Sequence, residues 1–208
     1  MERIGIPSVQ SISIFKDEGF SPVSERLLYI ALSLLCTMQA HSAKAEIVAI
    51  QVALIAVMSG LVTVATFLVR IPNPMGGYFN LGDAAVFAVA LTFNPIIGGF
   101  AGGIGSAIAD VIGFPLFAIP TLIIKGTEGF LAGLISNKRT ALSDVVAVVV
   151  AGCVMIFGYF VVELFAFQWG WGGAMAELPG NIAQVVFGGL IGIPLAYVVR
   201  RRLPEILK

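Results

Sequence analysis

The sequence predicts an all-α membrane protein, a six-transmembrane-helix bundle with a re-entrant loop after the first helix. Three observations predict it. The chain is 58% hydrophobic and only 12% charged, with a mean hydropathy of +0.99, whereas a soluble domain is about half apolar and about a quarter charged. Its apolar residues fall into runs near the ~20 residues that a spanning helix needs. Between residues 70 and 115 those runs are broken by glycine and proline more than by charge.

The first helix is read over residues 47–69, an uncharged stretch. Residues 81–135 divide into three helices, about 81–93, 95–112 and 116–135. Asn94-Pro95 makes the first break, because proline disfavours helix before it and suits a first turn. Gly113-Phe114-Pro115 makes the second. The fifth helix spans about 144–165. The sixth spans about 179–199, with Pro179 at its first turn and Arg200 after its end. The second helix is too short to cross alone: at 1.5 Å per residue it spans about 20 Å, against a hydrocarbon core of about 30 Å. The segment from Ile71 to Asn80 is therefore expected to descend into the membrane as irregular backbone. Such backbone is tolerated only where it is buried in protein or lines a wet cavity, and short interrupted segments mark binding sites in transporters.

Two domains follow. Residues 1–43 form an N-terminal extension of poorly defined structure, with room for a short interfacial helix at 27–40, and residues 44–208 form the membrane domain. With an inside N-terminus, Lys44, Lys138, Arg139, Arg200, Arg201, Arg202 and Lys208 collect on one side, and the opposite loops keep only Arg70. The positive-inside rule then places a multi-pass protein in the cytoplasmic (inner) membrane with both termini cytoplasmic. Trp169 and Trp171 fall at the outer interface.

Several function classes drop out. Zero net charge argues against nucleic acid as a partner. The single histidine, His41, lies outside the main apolar segments, which removes His-based metal or Ser-His chemistry from the membrane region. Ser106, in G-I-G-S-A, is thus left without a base, and no catalytic residue, metal site or cofactor is expected. Cys36 and Cys153 sit in apolar runs and read as buried thiols. No phosphate-cradling G-x-x-x-x-G-K-[ST] is present, so the chain cannot itself use ATP.

The candidate site comes from ionisable residues set in sequence apolar enough for lipid. Asp83, Asp110, Lys125 and Glu128 are four such residues, and a charge at bilayer depth costs at least about 2.5–3.5 kcal/mol, so each needs a cavity or a partner. Asn80-Leu-Gly-Asp83 opens the second helix. Asn80 is expected as its N-cap and Asp83 in its first turn, a role compatible with ligand contact. Lys125 and Glu128 lie one turn apart and read equally as an i,i+3 ion pair, shared with Asp110, or as ligand contacts. Asp83, Asp110, Glu163, Asn181 and Gln184 all project to the outer half of the membrane, as does the loop carrying Tyr78, Phe79 and Asn80. Tyr78, Phe79, Phe117 and Trp169 are aromatic faces on which a flat ring can stack. Glycine and alanine between 98 and 109 read as close helix packing. Ala45, Ala49 and Ala53, four apart, give the first helix a smooth face for packing in the bundle or against another membrane subunit.

The G-G-Y-F-N-L-G-D segment, the N-P break, G-G-I-G-S-A-I-A-D and K-G-T-E-G resemble the substrate-binding S components of energy-coupling factor (ECF) vitamin transporters, closest to the riboflavin-type group. The resemblance covers about residues 45–208. It implies an outward-facing site for a water-soluble vitamin, with riboflavin the first candidate, under a loop corresponding to Arg70–Asn80. It also implies docking of the transmembrane coupling subunit on the A-x-x-x-A face at Ala49 and Ala53, and ATP hydrolysis by separate ATPase subunits. The expected substrate-binding residues are Tyr78, Phe79, Asn80, Asp83, Asp110, Lys125, Glu128, Asn181 and Gln184. The competing reading is a stand-alone secondary transporter or channel using Asp110, Lys125 and Glu128 as an ion path. The polar residues stop at the outer half, which opposes it.

Overall fold

The computed structural model describes residues 22–72, 78–136 and 140–203. Among these residues are six α-helices: α1 (Pro22–Leu68), α2 (Gly82–Thr92), α3 (Pro95–Gly113), α4 (Ala118–Ile135), α5 (Ala141–Val161) and α6 (Gly170–Arg200). Five carry segments long and apolar enough to cross a membrane, and α2 is the short apolar one. The protein is an all-α six-helix membrane bundle. The chain divides into two units, Met1–Gln51 and Val52–Lys208. In the first, helix α1 begins at Pro22 and includes residues 27–40. Residues 1–21 lie outside the described residues. The second unit holds the bundle.

Helix α2 is short because it is the centre of the bundle. Every residue from Gly82 to Thr92 is buried, and it packs against α3, α4 and α6. A helix apolar on all sides is stable only when surrounded in this way. The segment before it is more regular than expected: strands β1 (Arg70–Pro72) and β2 (Tyr78–Asn80) pair antiparallel, Ile71 opposite Phe79. Residues 73–77 between them lie outside the described residues. Asn80 stands one place further out than expected. The N-cap position is Leu81, which makes no side-chain cap, and the Asn80 Oδ1 instead accepts from the Gly82 N–H at 2.8 Å. Local hydrogen bonding by an asparagine side chain satisfies one orphan amide here without continuing the helix back to it.

The Asn94-Pro95 break acts as expected. Asn94 Oδ1 accepts from the Ile97 N–H at 2.9 Å and Pro95 occupies the first turn of α3. Helix α3 then crosses α4 at near backbone contact. A Cβ on Gly98 would lie 2.8 Å from the Gly129 carbonyl oxygen, and one on Gly129 would run into the Gly98 carbonyl oxygen. Gly129→Ala is therefore expected to destabilise the protein by about 1–3 kcal/mol through forced separation of the helices, read as a lower unfolding midpoint in detergent. Wild-type stability in that variant would show that the crossing has slack.

Helix α5 opens on a capping box. The Ser143 N–H donates to Thr140 Oγ1 at 3.2 Å and the Thr140 N–H donates to Ser143 Oγ at 3.0 Å. At the same end of the bundle, Arg200 at the close of α6 pairs with Asp144, which also accepts from Ser136. Helix α5 runs into a π-helical turn, Val162–Ala166. Helix α6 starts at Gly170, nine residues before its expected proline start, and carries Pro179 and Pro194 inside it. Membrane helices tolerate internal proline because neighbouring groups satisfy the freed carbonyls. Cys153 is exposed rather than buried.

Candidate functional site

A polar cavity lies within the second unit, and its lining explains the polar residues of an otherwise apolar chain. Three helices supply it through stripes at helical spacing. Helix α3 gives Ser106 and Asp110, four apart. Helix α4 gives Thr121 and Lys125, four apart. Helix α6 gives Glu177, Asn181 and Gln184, at i, i+4 and i+7. Residues at these spacings share one helix face. Helix α1 adds Thr66, α5 adds Tyr159, and Asn80 closes the end of β2. The π-helical turn adds Glu163, four residues beyond Tyr159, and such turns gather at functional sites.

Lys125 organises the cavity floor. Its Nζ donates to Asp83 and, at 2.9 Å, to Glu128 Oε2. It also stands 5.9 Å from the centroid of the Tyr159 ring, within the range at which a cation and a ring face attract. Asp83 and Glu128 are fully buried and Lys125 is 4% exposed. Asp83 Oδ2 and Glu128 Oε1 have no hydrogen-bond partner among the described residues. The triad therefore ties α2 to α4 with two carboxylates and one cation. Asp83 and Glu128 lie behind the cavity wall, while Lys125 is part of that wall.

An aromatic cluster forms the opposite character of wall. Phe117, in the 3-10 turn Pro115–Phe117 before α4, stacks on Phe114 with centroids 5.2 Å apart. It meets Phe167 edge-on at 4.8 Å and Trp169 at 5.7 Å. Tyr159 lies 5.9 Å from the same ring, and its hydroxyl shares a 2.9 Å hydrogen bond with Thr121. Phe114, Phe117 and Tyr159 line the cavity directly.

Of the sequence-predicted residues, Asn80, Asp110, Lys125, Asn181 and Gln184 come together around this cavity. Asp83 and Glu128 sit one layer back, on Lys125. Tyr78 and Phe79 are placed in β2, with side chains outside what is described. Ala49 and Ala53 are exposed on α1. Sequence reasoning missed Thr66, Ser106, Phe114, Thr121, Tyr159 and Glu177 as lining, and named Phe117 and Glu163 without placing them in the site set. Glu177 was legible as the first member of the α6 stripe. It was hidden by starting that helix at Pro179. A larger groove on the outside of α3 and α4, lined by residues such as Phe100, Leu122 and Phe130, carries no charged group. In a bilayer it is a lipid-facing surface.

Comparison with known proteins agrees with this architecture. The sequence model of the family described as "ECF-type riboflavin transporter, S component" matches residues 46–201. The chain is 47% identical over 149 residues to an uncharacterized protein from the gap 3' region of Pyrococcus woesei, covering 71% of this chain and 99% of that protein. It is 31% identical over 136 residues to the thiamine precursor transporter HmpT of Lactococcus lactis subsp. cremoris, covering 65% of this chain and 77% of the relative. Among solved structures, one titled "Structure and mechanism of the S component of a bacterial ECF transporter" shares the fold at a TM-score of 0.61. The identity there is 17%, over 74% of this chain and 98% of that one.

Proposed function

The chain belongs to the family of ECF-type riboflavin transporter S components, and from that premise we propose that the cavity bounded by α1, α3, α4, α5 and α6 is its capture site for a water-soluble vitamin or vitamin precursor. As a member of this family it is a substrate-binding membrane subunit for ECF import and not an enzyme, and membership implies coupling to a transmembrane subunit and ATPase subunits. The observation that carries the site assignment is the convergence of polar stripes from α3, α4 and α6 on one cavity beside an aromatic cluster. Ligand sites of this kind are mostly apolar with a few fixed polar groups that set orientation.

The cavity volume is about 50 Å³, enough for a few waters at ~10–15 Å³ each and too small for a vitamin. Capture therefore requires the walls to part. The β1–β2 ribbon beside Asn80 is the natural element to move, because it is short and has only one partner strand. Tyr78, Phe79, Asn80, Asp110, Lys125, Asn181 and Gln184 are the proposed contact set, joined by Phe117, Tyr159, Glu163 and Glu177. Asp83 and Glu128 act by holding Lys125. We place the cavity mouth on the outer side and both termini in the cytoplasm, following the Lys/Arg asymmetry. Ala49 and Ala53 form the docking face for the coupling subunit.

Two ligand names stand beside this reading: riboflavin, from the group to which the chain belongs, and a thiamine precursor, from one relative. The test is to purify the chain from cells grown in rich medium, denature it and identify the released small molecule by mass spectrometry. One vitamin-class compound in near-equal amount to protein is expected. Repeated release of nothing, together with no binding from a panel of vitamins, would remove the capture role from this cavity.

A further inference from the structure

Among the described residues, ion pairs join Lys125 to Asp83 and Glu128, and Arg200 to Asp144. Glu163 takes part in none of them. It is 2% exposed, it lines the cavity, and its Oε2 has no hydrogen-bond partner among the described residues. The other charged side chains of the described lining bring it no cation. Asp110 and Glu177 are acidic, and Lys125 is held by Asp83 and Glu128. Burial of a carboxyl without a cation favours its neutral form, because an isolated charge costs far more to desolvate than a neutral polar group.

The neutral form presents something that a carboxylate lacks. A protonated carboxyl carries an O–H donor and a carbonyl acceptor side by side. A ligand completes it by offering an acceptor and a donor at the same spacing, so that two parallel hydrogen bonds close together. An N–H next to a ring carbonyl, as in an imide or lactam, is such an edge, and so is an amino group next to a ring nitrogen. The rest of the lining suits a ring of that kind. Phe117 and Tyr159 supply aromatic surface. Asn181 adds a side-chain amide, again a donor beside an acceptor.

We infer that neutral Glu163 is a specificity-determining residue, and that the ligand is an uncharged planar heterocycle carrying a hydrogen-bond donor beside an acceptor on one edge. This rests on the reading of the cavity as the capture site. Riboflavin has such an edge in its imide. The hydroxymethyl aminopyrimidine that forms half of thiamine has one in its amino group and ring nitrogen.

The experiment is equilibrium binding to the full-length purified chain in detergent. The probes are riboflavin and the hydroxymethyl aminopyrimidine, each beside a methylated derivative that has lost the donor: riboflavin methylated on the imide nitrogen, and the pyrimidine dimethylated on its amino group. At least one parent compound is expected to bind, and its methylated derivative to bind roughly 10–100-fold more weakly, the usual effect of leaving a buried hydrogen-bonding group unpaired. Glu163→Met, similar in length and without a polar edge, is expected to weaken the parent by a similar factor and to erase its advantage over the methylated derivative. Glu163→Gln is expected to rescue parent binding, because a side-chain amide keeps a donor beside an acceptor. A merely structural glutamate would leave the advantage of the parent in place in both variants. A charged one would make Glu163→Gln as damaging as Glu163→Met. Either result, equal binding of parent and methylated probe, or failure of both parents to bind folded protein would overturn the assignment of Glu163. The capture reading itself fails only if no small molecule accompanies or binds the chain, so the two failures are told apart.

Discussion

Lys125→Met is expected to destabilise the protein by about 3–5 kcal/mol, the usual consequence of removing one partner from a buried ion pair. The size follows from what the substitution leaves behind. Asp83 and Glu128 are both fully buried, and the other oxygen of each already lacks a partner among the described residues. Without Lys125 two carboxylates would face each other across the α2–α4 contact with no cation. Thermal unfolding of the purified chain reads the effect directly. Adding Glu128→Gln to Lys125→Met should recover only part of the loss, because Asp83 remains charged. Adding Asp83→Asn as well should recover most of it, since a neutral buried set is often as stable as the ion pair that it replaces. That neutral triple variant also decides whether Lys125 touches ligand. Stability regained without binding would place Lys125 in direct contact, whereas both regained would confine it to the triad. Wild-type stability in the single variant would show that the triad does not hold α2 in place.

Ala53→Leu is expected to abolish uptake in cells carrying the whole transport system while the purified chain keeps near-wild-type ligand affinity. Ala49 and Ala53 are both exposed on α1 and lie four residues apart, so they share one helix face. Small residues at that spacing let a second helix approach closely in a membrane, where packing and not hydrophobic burial drives association. Leucine at 53 would hold the partner helix off without adding a polar group to the lipid-facing surface. Because the position is exposed, the added side chain meets nothing inside the bundle, which is why binding should survive. Joint loss of binding and uptake would assign Ala53 to packing within the bundle. Uptake by the isolated chain in liposomes would instead revive the stand-alone transporter.

Local pattern determined a good deal of this protein. Composition and run length set its membrane class, and proline and glycine breaks divided residues 81–135 into three helices close to their observed limits. The shortness of α2 was legible because length alone compares a helix with a bilayer. Apolar surroundings made Asp83, Asp110, Lys125 and Glu128 conspicuous, and their expected depth in the outer half added Asn181 and Gln184.

Tertiary structure decided which of these residues meet. Lys125 was open to pairing with Glu128, three residues away, but its second partner is Asp83, 42 residues away on α2, where the sequence had offered Asp110. That choice depends on α2 occupying the middle of the bundle. Nothing in periodicity says which apolar helix is central. Glu163 lies four residues beyond Tyr159, so the two share a face that only packing turns toward the cavity. Glu177 reaches it because α6 runs through Pro179, which local rules read as a helix start and which the bundle accommodates as an interior residue. Sequence fixes what one helix face can present, because side-chain spacing along a helix is set by its own geometry. Which faces turn toward one another is set by packing among helices, and a buried charge finds its partner only after that packing is complete.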